Sequence, residues 1–255
     1  MSLLEAQGIT KHFGGLTALE DVDFRISKGE LVSIVGPNGS GKTTLFNIIT
    51  GFHKPTKGSI KFEGSFIGGL SPYRIARAGI GRTFQVTALF ENLSVVENVV
   101  VGLHHHTTSK IIDALIRDRK YCKEEQLCLE KARGMLAFVD LEGLGNEFAA
   151  RLPSFPRKRL AIAIALVGNP NLLLLDEPAA GLNAREIDSL AVLLRKIRES
   201  GVTLCVIEHK MKFVMALSDR VMVLNEGRKI AEGTPAQVSQ DEKVIAAYLG
   251  KKDVA

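Results

Sequence analysis

The chain has 255 residues, 45% of them hydrophobic and 24% charged, which excludes a disordered, collagenous or disulfide-stapled protein. Its three cysteines, Cys122, Cys128 and Cys205, form no CxxC pair, so a reducing compartment is expected. A net charge of +5 suits a polyanionic ligand or an acidic surface but is too weak to argue for nucleic acid.

No apolar run approaches the roughly 18 residues of a membrane span. The N-terminal MSLLEAQGIT lacks a basic and then apolar stretch, so no secretory signal is expected. Further along, Phe24-Arg25-Ile26 alternates, Lys28-Gly29-Glu30 reads as a turn, and LVSIV at 31–35 reads as a buried strand. That strand runs into a glycine-rich stretch and then a helix from Lys42 to about Thr50. Strand, glycine loop and helix open a parallel α/β unit. Residues 56–68 return to a β-hairpin. From 92 to 149 the pattern is helical, with apolar Val95, Val96, Val99, Ile111, Ile112, Leu115, Ile116, Leu127, Leu129 and Leu136. This reads as a helical insertion between two α/β halves. Alternation resumes with strands at 172–175, 202–207 and 221–224, an amphipathic helix at 185–200 and a final helix at 236–249. The expected division is 1–91, the first part of the core with a β subdomain; 92–159, helical; 160–235, the second part of the core; and 236–255, a C-terminal helix and tail.

Gly36-Pro37-Asn38-Gly39-Ser40-Gly41-Lys42-Thr43 matches G-x-x-x-x-G-K-[ST] in full. Glycines let a loop wrap phosphate with backbone N–H groups, and the next helix aims its positive end at the same anion. Lys42 is a point charge for the β and γ oxygens, and Thr43 offers a hydroxyl to Mg²⁺. Leu172-Leu173-Leu174-Leu175-Asp176-Glu177 is an apolar strand ending in two carboxylates. A strand end beside the phosphate loop is where a Mg²⁺-holding carboxylate belongs, which assigns Asp176. Glu177 then stands to polarise the attacking water. His104-His105-His106 invites a metal reading, but no Cys or acid lies at ligand spacing, so a solvated loop is expected.

These motifs, with those that follow, resemble the ATP-binding cassette (ABC) ATPases. Pro178-Ala179-Ala180-Gly181-Leu182-Asn183 resembles the family's D-loop. Gln85 in Gly81-Arg82-Thr83-Phe84-Gln85 resembles its Q-loop glutamine, with a catalytic and a metal-side role. His209 in Ile207-Glu208-His209 resembles the switch histidine. Phe13 resembles the aromatic that stacks on adenine, although an aromatic here also fits strand core. Thr44 joins residues 36–43 in the implied nucleotide site. The implied fold is a P-loop, RecA-like α/β core with an antiparallel β subdomain and a helical subdomain. The implied ligands are ATP and Mg²⁺.

The resemblance breaks at the signature loop. Where the family has a sequence close to L-S-G-G-Q, this chain has Leu152-Pro153-Ser154-Phe155-Pro156. Ser154 still offers a hydroxyl, as ligand or as helix N-cap. Pro156 suits the first helical position, and Phe155 adds bulk where the backbone should approach phosphate. Asn183 and Lys210 stand where acids are common. One cassette without a membrane span resembles the separate ATPase of a prokaryotic importer. Ile80 to Gln85, the segment 99–133 and the ending through Ala246-Ala247-Tyr248-Leu249-Gly250 resemble the larger-type ATPase for branched-chain amino acids. Urea and lipopolysaccharide transport ATPases, or a partner subunit with little hydrolysis of its own, are the alternatives. The implied partners are a second ATP-binding subunit, identical or not, two membrane permeases docking around 86–100, and indirectly a periplasmic binding protein, with no nucleic acid. The implied location is peripheral, on the cytoplasmic face of the inner membrane.

Overall fold

The computed structural model describes residues 2–84, 89–103 and 119–249. Strands β1 (Ser2–Phe13) and β2 (Leu16–Ser27) pair as a long antiparallel hairpin. In β2 the alternation is regular, with Val22, Phe24 and Ile26 buried and the residues between them exposed. Strand β3 (Leu31–Val35) is buried at every position. It is followed by the glycine loop and helix α1 (Lys42–Ile49). Strands β4 (Lys57–Phe62) and β5 (Ser65–Phe66) complete a four-stranded sheet in the order β2-β1-β4-β5. A short helix α2 (Pro72–Arg77) leads to β6 (Ile80–Arg82); the sequence pattern had revealed neither.

The chain divides into two units, one of Met1–Arg82 with Asn171–Ala255 and one of Thr83–Pro170. The division expected from sequence, 92–159, ends the helical part before its last helix is complete. In the second unit, α3 (Val95–Gly102) packs against α4 (Arg119–Phe138) and α5 (Ser154–Leu166). Ser94 and Glu97 form a reciprocal capping box at the start of α3. Asn98 is wholly buried, and its side chain satisfies both the N–H (2.9 Å) and the carbonyl (3.0 Å) of Phe90. His104–106 lie outside the described residues.

In the first unit the chain continues with β7 (Leu172–Asp176), α6 (Ala184–Glu199), β8 (Thr203–Ile207), α7 (Met211–Leu217), β9 (Arg220–Asn225) and β10 (Arg228–Gly233). The tail expected as one helix is two, α8 (Pro235–Ser239) and α9 (Glu242–Leu249). Thr234 caps α8 through Gln237 and fixes its direction. The larger sheet has the order β10-β9-β3-β8-β7-β6, parallel throughout except for β10. Strands β3, β7 and β8 are buried at all positions, as expected for parallel strands covered on both faces. Each buried leucine of β7 contributes about 1.5–3 kcal/mol by removal from water. Side chains from both sheets and from α1 form one hydrophobic cluster, which fixes α1 against the sheet.

Candidate functional site

Parallel pairing aligns the carboxyl ends of four strands. β3 ends at the glycine loop, β8 at Glu208-His209, β7 at Asp176-Glu177 and β6 at Arg82. The register pairs Ile34 with Ile207, Asp176 with Ile207 and Arg82 with Leu174. Strand β3 lies between β9 and β8, with β7 one place beyond β8. His209 therefore follows a strand that adjoins β3 directly, whereas the Asp176-Glu177 pair ends a strand one place further out. Ligands of open α/β sheets bind at this carboxyl edge.

Gly36 and Gly41 are dictated by space as well as by conformation. Gly36 has φ 151°, and a Cβ there would lie 2.0 Å from the Leu224 carbonyl oxygen. Gly41 has φ 100°, and its Cβ would lie 2.6 Å from Leu19 and 2.7 Å from the Ala18 carbonyl. Gly41 caps α1 without a side chain, and no acid sits in the first turn. The positive helix end is thus left to the loop. The loop is held from behind, where the Gly227 N–H donates to the Ser40 carbonyl at 3.2 Å. Lys42 is buried, and its Nζ donates to the carbonyls of Gly36 and Pro37 at 2.8 Å each and to Ser40 Oγ at 3.4 Å. Ser40 is buried, Pro37 and Thr44 are half-buried, and Asn38, Gly39 and Thr43 are exposed.

Asp176 is buried, and its Oδ2 accepts from Arg82 Nη2 at 3.1 Å. Burial raises its carboxyl above the ordinary range; Arg82 opposes this, Glu177 adds to it and Lys42 opposes it. Arg82 also donates to Asn47 Oδ1 at 2.7 Å and Thr50 Oγ1 at 2.9 Å. It therefore fastens the end of β7 to α1. Arg82 belongs to none of the candidate site residues expected from sequence; the need of a buried acid for a cation is the general signal, and only the fold shows which cation meets it.

Glu177 has φ 48°, in the left-handed region that non-glycine residues rarely enter. Its N–H donates to the Ile207 carbonyl at 2.9 Å, tying the turn after β7 to β8. His209 Nδ1 lies 3.9 Å from Glu177 Oε1 and 4.0 Å from Glu208 Oε2, with its side chain half exposed. Phe13 is 41% exposed and so is not strand core. His53 meets its ring edge-on at 5.1 Å between centroids, and Lys11 Nζ lies 4.8 Å from the ring centre. Gln85 lies outside the described residues.

Both minor departures from the family pattern have a structural account. Asn183 caps α6, accepting from the Glu186 N–H at 3.1 Å, and Asn and Asp cap equally well. Lys210 Nζ donates to the carbonyls of Ala179 at 2.8 Å and Leu182 at 3.2 Å.

In the helical unit, α5 begins at Ser154 with Pro153 as its cap. The helix starts two residues earlier than the Pro156 start expected from sequence. Ser154 is therefore a first-turn residue and not the N-cap. It is exposed, and Pro156 sits at the third helical position, still within the turn that tolerates proline. The Phe155 ring lies against the side chain one turn on, with the Arg159 guanidinium 4.8 Å from its centre. Arg159 is buried and donates to the Val139 carbonyl at 2.6 Å and to the Asp140 carboxylate.

The pattern described as ABC transporter matches residues 19–180, and that described as branched-chain amino acid ATP-binding cassette transporter matches 228–254. The chain is 42% identical over 250 residues to the high-affinity branched-chain amino acid transport ATP-binding protein BraF of Pseudomonas aeruginosa, covering 98% of each. It is 40% identical over 250 residues to the corresponding protein LivG of Escherichia coli K12, again covering 98% of each. The crystal structure of a nucleotide-free cassette from an ABC transporter superposes with TM-score 0.87 at 33% identity, over 98% of this chain and 100% of that one. A dimeric cassette in a post-hydrolysis state bound to ADP and Pi superposes with TM-score 0.77 at 28% identity, over 91% and 98%. With its glycine loop and carboxylate-ended strand on this α/β scaffold, the chain belongs to the ABC transporter family of ATP-binding cassettes.

Proposed function

We propose that this chain is the ATP-binding and ATP-hydrolysing subunit that powers a membrane importer of branched-chain amino acids. One observation carries the reading: Lys42, Asp176, Glu177 and His209 all follow the carboxyl edge of one parallel sheet within one unit. The backbone of 36–43 cradles the β and γ phosphates, Lys42 and Thr44 support them, and the exposed face of Phe13 receives adenine. Asp176, the Thr43 hydroxyl and Gln85 are the Mg²⁺-side groups. The donor set suits that ion, being hard oxygens of a carboxylate, a hydroxyl and an amide, with phosphates and water to complete the shell. When bound, Mg²⁺ neutralises charge on the transferred phosphoryl group. Glu177 takes the proton of the attacking water, and His209 donates to the γ-phosphate oxygen.

A second ATP-binding subunit supplies Ser154 to the phosphates, and the likeness to a dimeric cassette supports such pairing. Two permeases dock around 86–100, where Phe90 is exposed while Val95 and Val99 are core. A periplasmic binding protein acts through them, and no nucleic acid takes part. No helix among the described residues is long and apolar enough to cross a membrane, which suits a peripheral position on the cytoplasmic face of the inner membrane. The test is reconstitution with its permeases and binding protein in vesicles. ATP-dependent uptake of leucine, isoleucine or valine is expected; ATP-dependent uptake of urea with none of these would overturn the substrate reading.

A further inference from the structure

Glu208 is a carboxylate with no exposed surface, immediately before His209. A buried carboxylate is tolerated only when its oxygens are well satisfied. Its Oε1 accepts from the Ala179 N–H at 2.7 Å. Its Oε2 accepts from the N–H groups of His209 at 3.0 Å and Lys210 at 3.3 Å. Lys210 Nζ returns to the same peptide region, donating to the carbonyls of Ala179 and Leu182. Ala179, itself wholly buried, is gripped at its N–H by an anion and at its carbonyl by a cation. Both grips originate on the two residues flanking His209.

We propose that Glu208 and Lys210 form a strap that makes the 178–183 loop and the His209 loop one rigid body. They are positioning residues, not catalytic ones. The strap holds His209 in reach of Glu177 and transmits displacement of the 178–183 loop to the imidazole. Because its role in turnover rests on the hydrolytic role proposed for His209, the strap itself is tested without turnover.

The first measurement is amide hydrogen exchange across 178–183 and 207–210 in the nucleotide-free protein. Lys210→Met removes the cationic grip, and Lys210→Arg keeps donors and charge. Loss of a hydrogen bond to a charged group corresponds to exchange faster by about tenfold or more in the loop. We expect this in Lys210→Met and near-native protection in Lys210→Arg. Glu208→Gln turns an amide NH₂ toward backbone N–H groups, so a larger increase is expected there; if that variant fails to fold, the two lysine variants still decide. Unchanged exchange in Lys210→Met overturns the strap.

The second measurement is steady-state hydrolysis alongside His209→Ala. Lys210→Met should lower kcat about tenfold with nucleotide affinity within about twofold, rescued by Lys210→Arg. Faster exchange with an unchanged kcat, where His209→Ala is inactive, overturns the positioning role. An active His209→Ala overturns the site reading itself, and the positioning role with it, while leaving the exchange result intact.

Discussion

The two helix starts proposed to meet phosphate, those of α1 and α5, are built in opposite ways. Helix α1 begins at a glycine with no side-chain cap and no acid in its first turn. Helix α5 also begins without a side-chain cap or a first-turn acid. Both therefore present an unneutralised positive end. At α1 the chain adds bare backbone: Gly36 and Gly41 stand where any Cβ would collide, and Lys42 is folded into the loop. At α5 the chain adds side chains instead. Phe155 lies along the first turn, Pro156 has no N–H, and Arg157 and Arg159 are engaged with Glu91 and Asp140. The first can wrap an anion with N–H groups; the second offers one donor fewer and a bulky neighbour. The same dipole is spent on close backbone contact in one place and on a packed, charged surface in the other.

The comparison breaks first at Arg82, which ties β7 to α1. Arg82→Met leaves Asp176 buried without its cation, a change worth about 3–5 kcal/mol of stability. Denaturant titration should show it, with Arg82→Lys losing clearly less. Equal stability of Arg82→Met and wild type would mean the pair holds nothing. Lys42→Ala comes next, costing the nucleotide a charge-assisted contact of about 1.5–3 kcal/mol, or roughly 10- to 150-fold in affinity. Affinity and turnover both within twofold of wild type would remove the phosphate-loop assignment.

The double change Phe155→Gly with Pro156→Gln sharpens the comparison by making α5 more like α1. Restored backbone approach and donors should raise steady-state hydrolysis about two- to tenfold, the worth of a neutral hydrogen bond. An unchanged or lower rate with normal nucleotide binding would show that this loop is not limiting. The smallest effect is on packing. Phe155→Ala uncovers Arg159 and loses about 0.5–1 kcal/mol of cation–π contact. That should appear as a drop of about 2–4 °C in Tm per kcal/mol lost.

What was legible in the sequence was what is local. LVSIV and LLLLD announce buried strands because a short run that is apolar at four of its five positions needs cover on both faces. The glycine loop announces itself because its conformations exclude other residues. Less legible were the pieces decided by tertiary contact. β6 is three residues long and is a strand because β7 pairs with it. α2 and α7 are too short for a clear helical period. The start of α5 was misjudged because proline is accepted throughout a first turn, and not only at its first position. In the site, the Arg82–Asp176 pair joins residues far apart in sequence, and Glu208 and Lys210 act on backbone atoms, which leave no residue-type signal at the other end.

As proposed, the carboxyl edge of the larger sheet hydrolyses MgATP with Glu177 as base. The direct test is nucleotide binding and hydrolysis by wild type and Glu177→Gln, measured side by side in the assembled transporter. The substitution keeps shape and removes the base, so ATP affinity should stay within about twofold while the rate falls by about 10²–10³, the usual loss for one polar group at such a site. Hydrolysis by Glu177→Gln at the wild-type rate would contradict the claim.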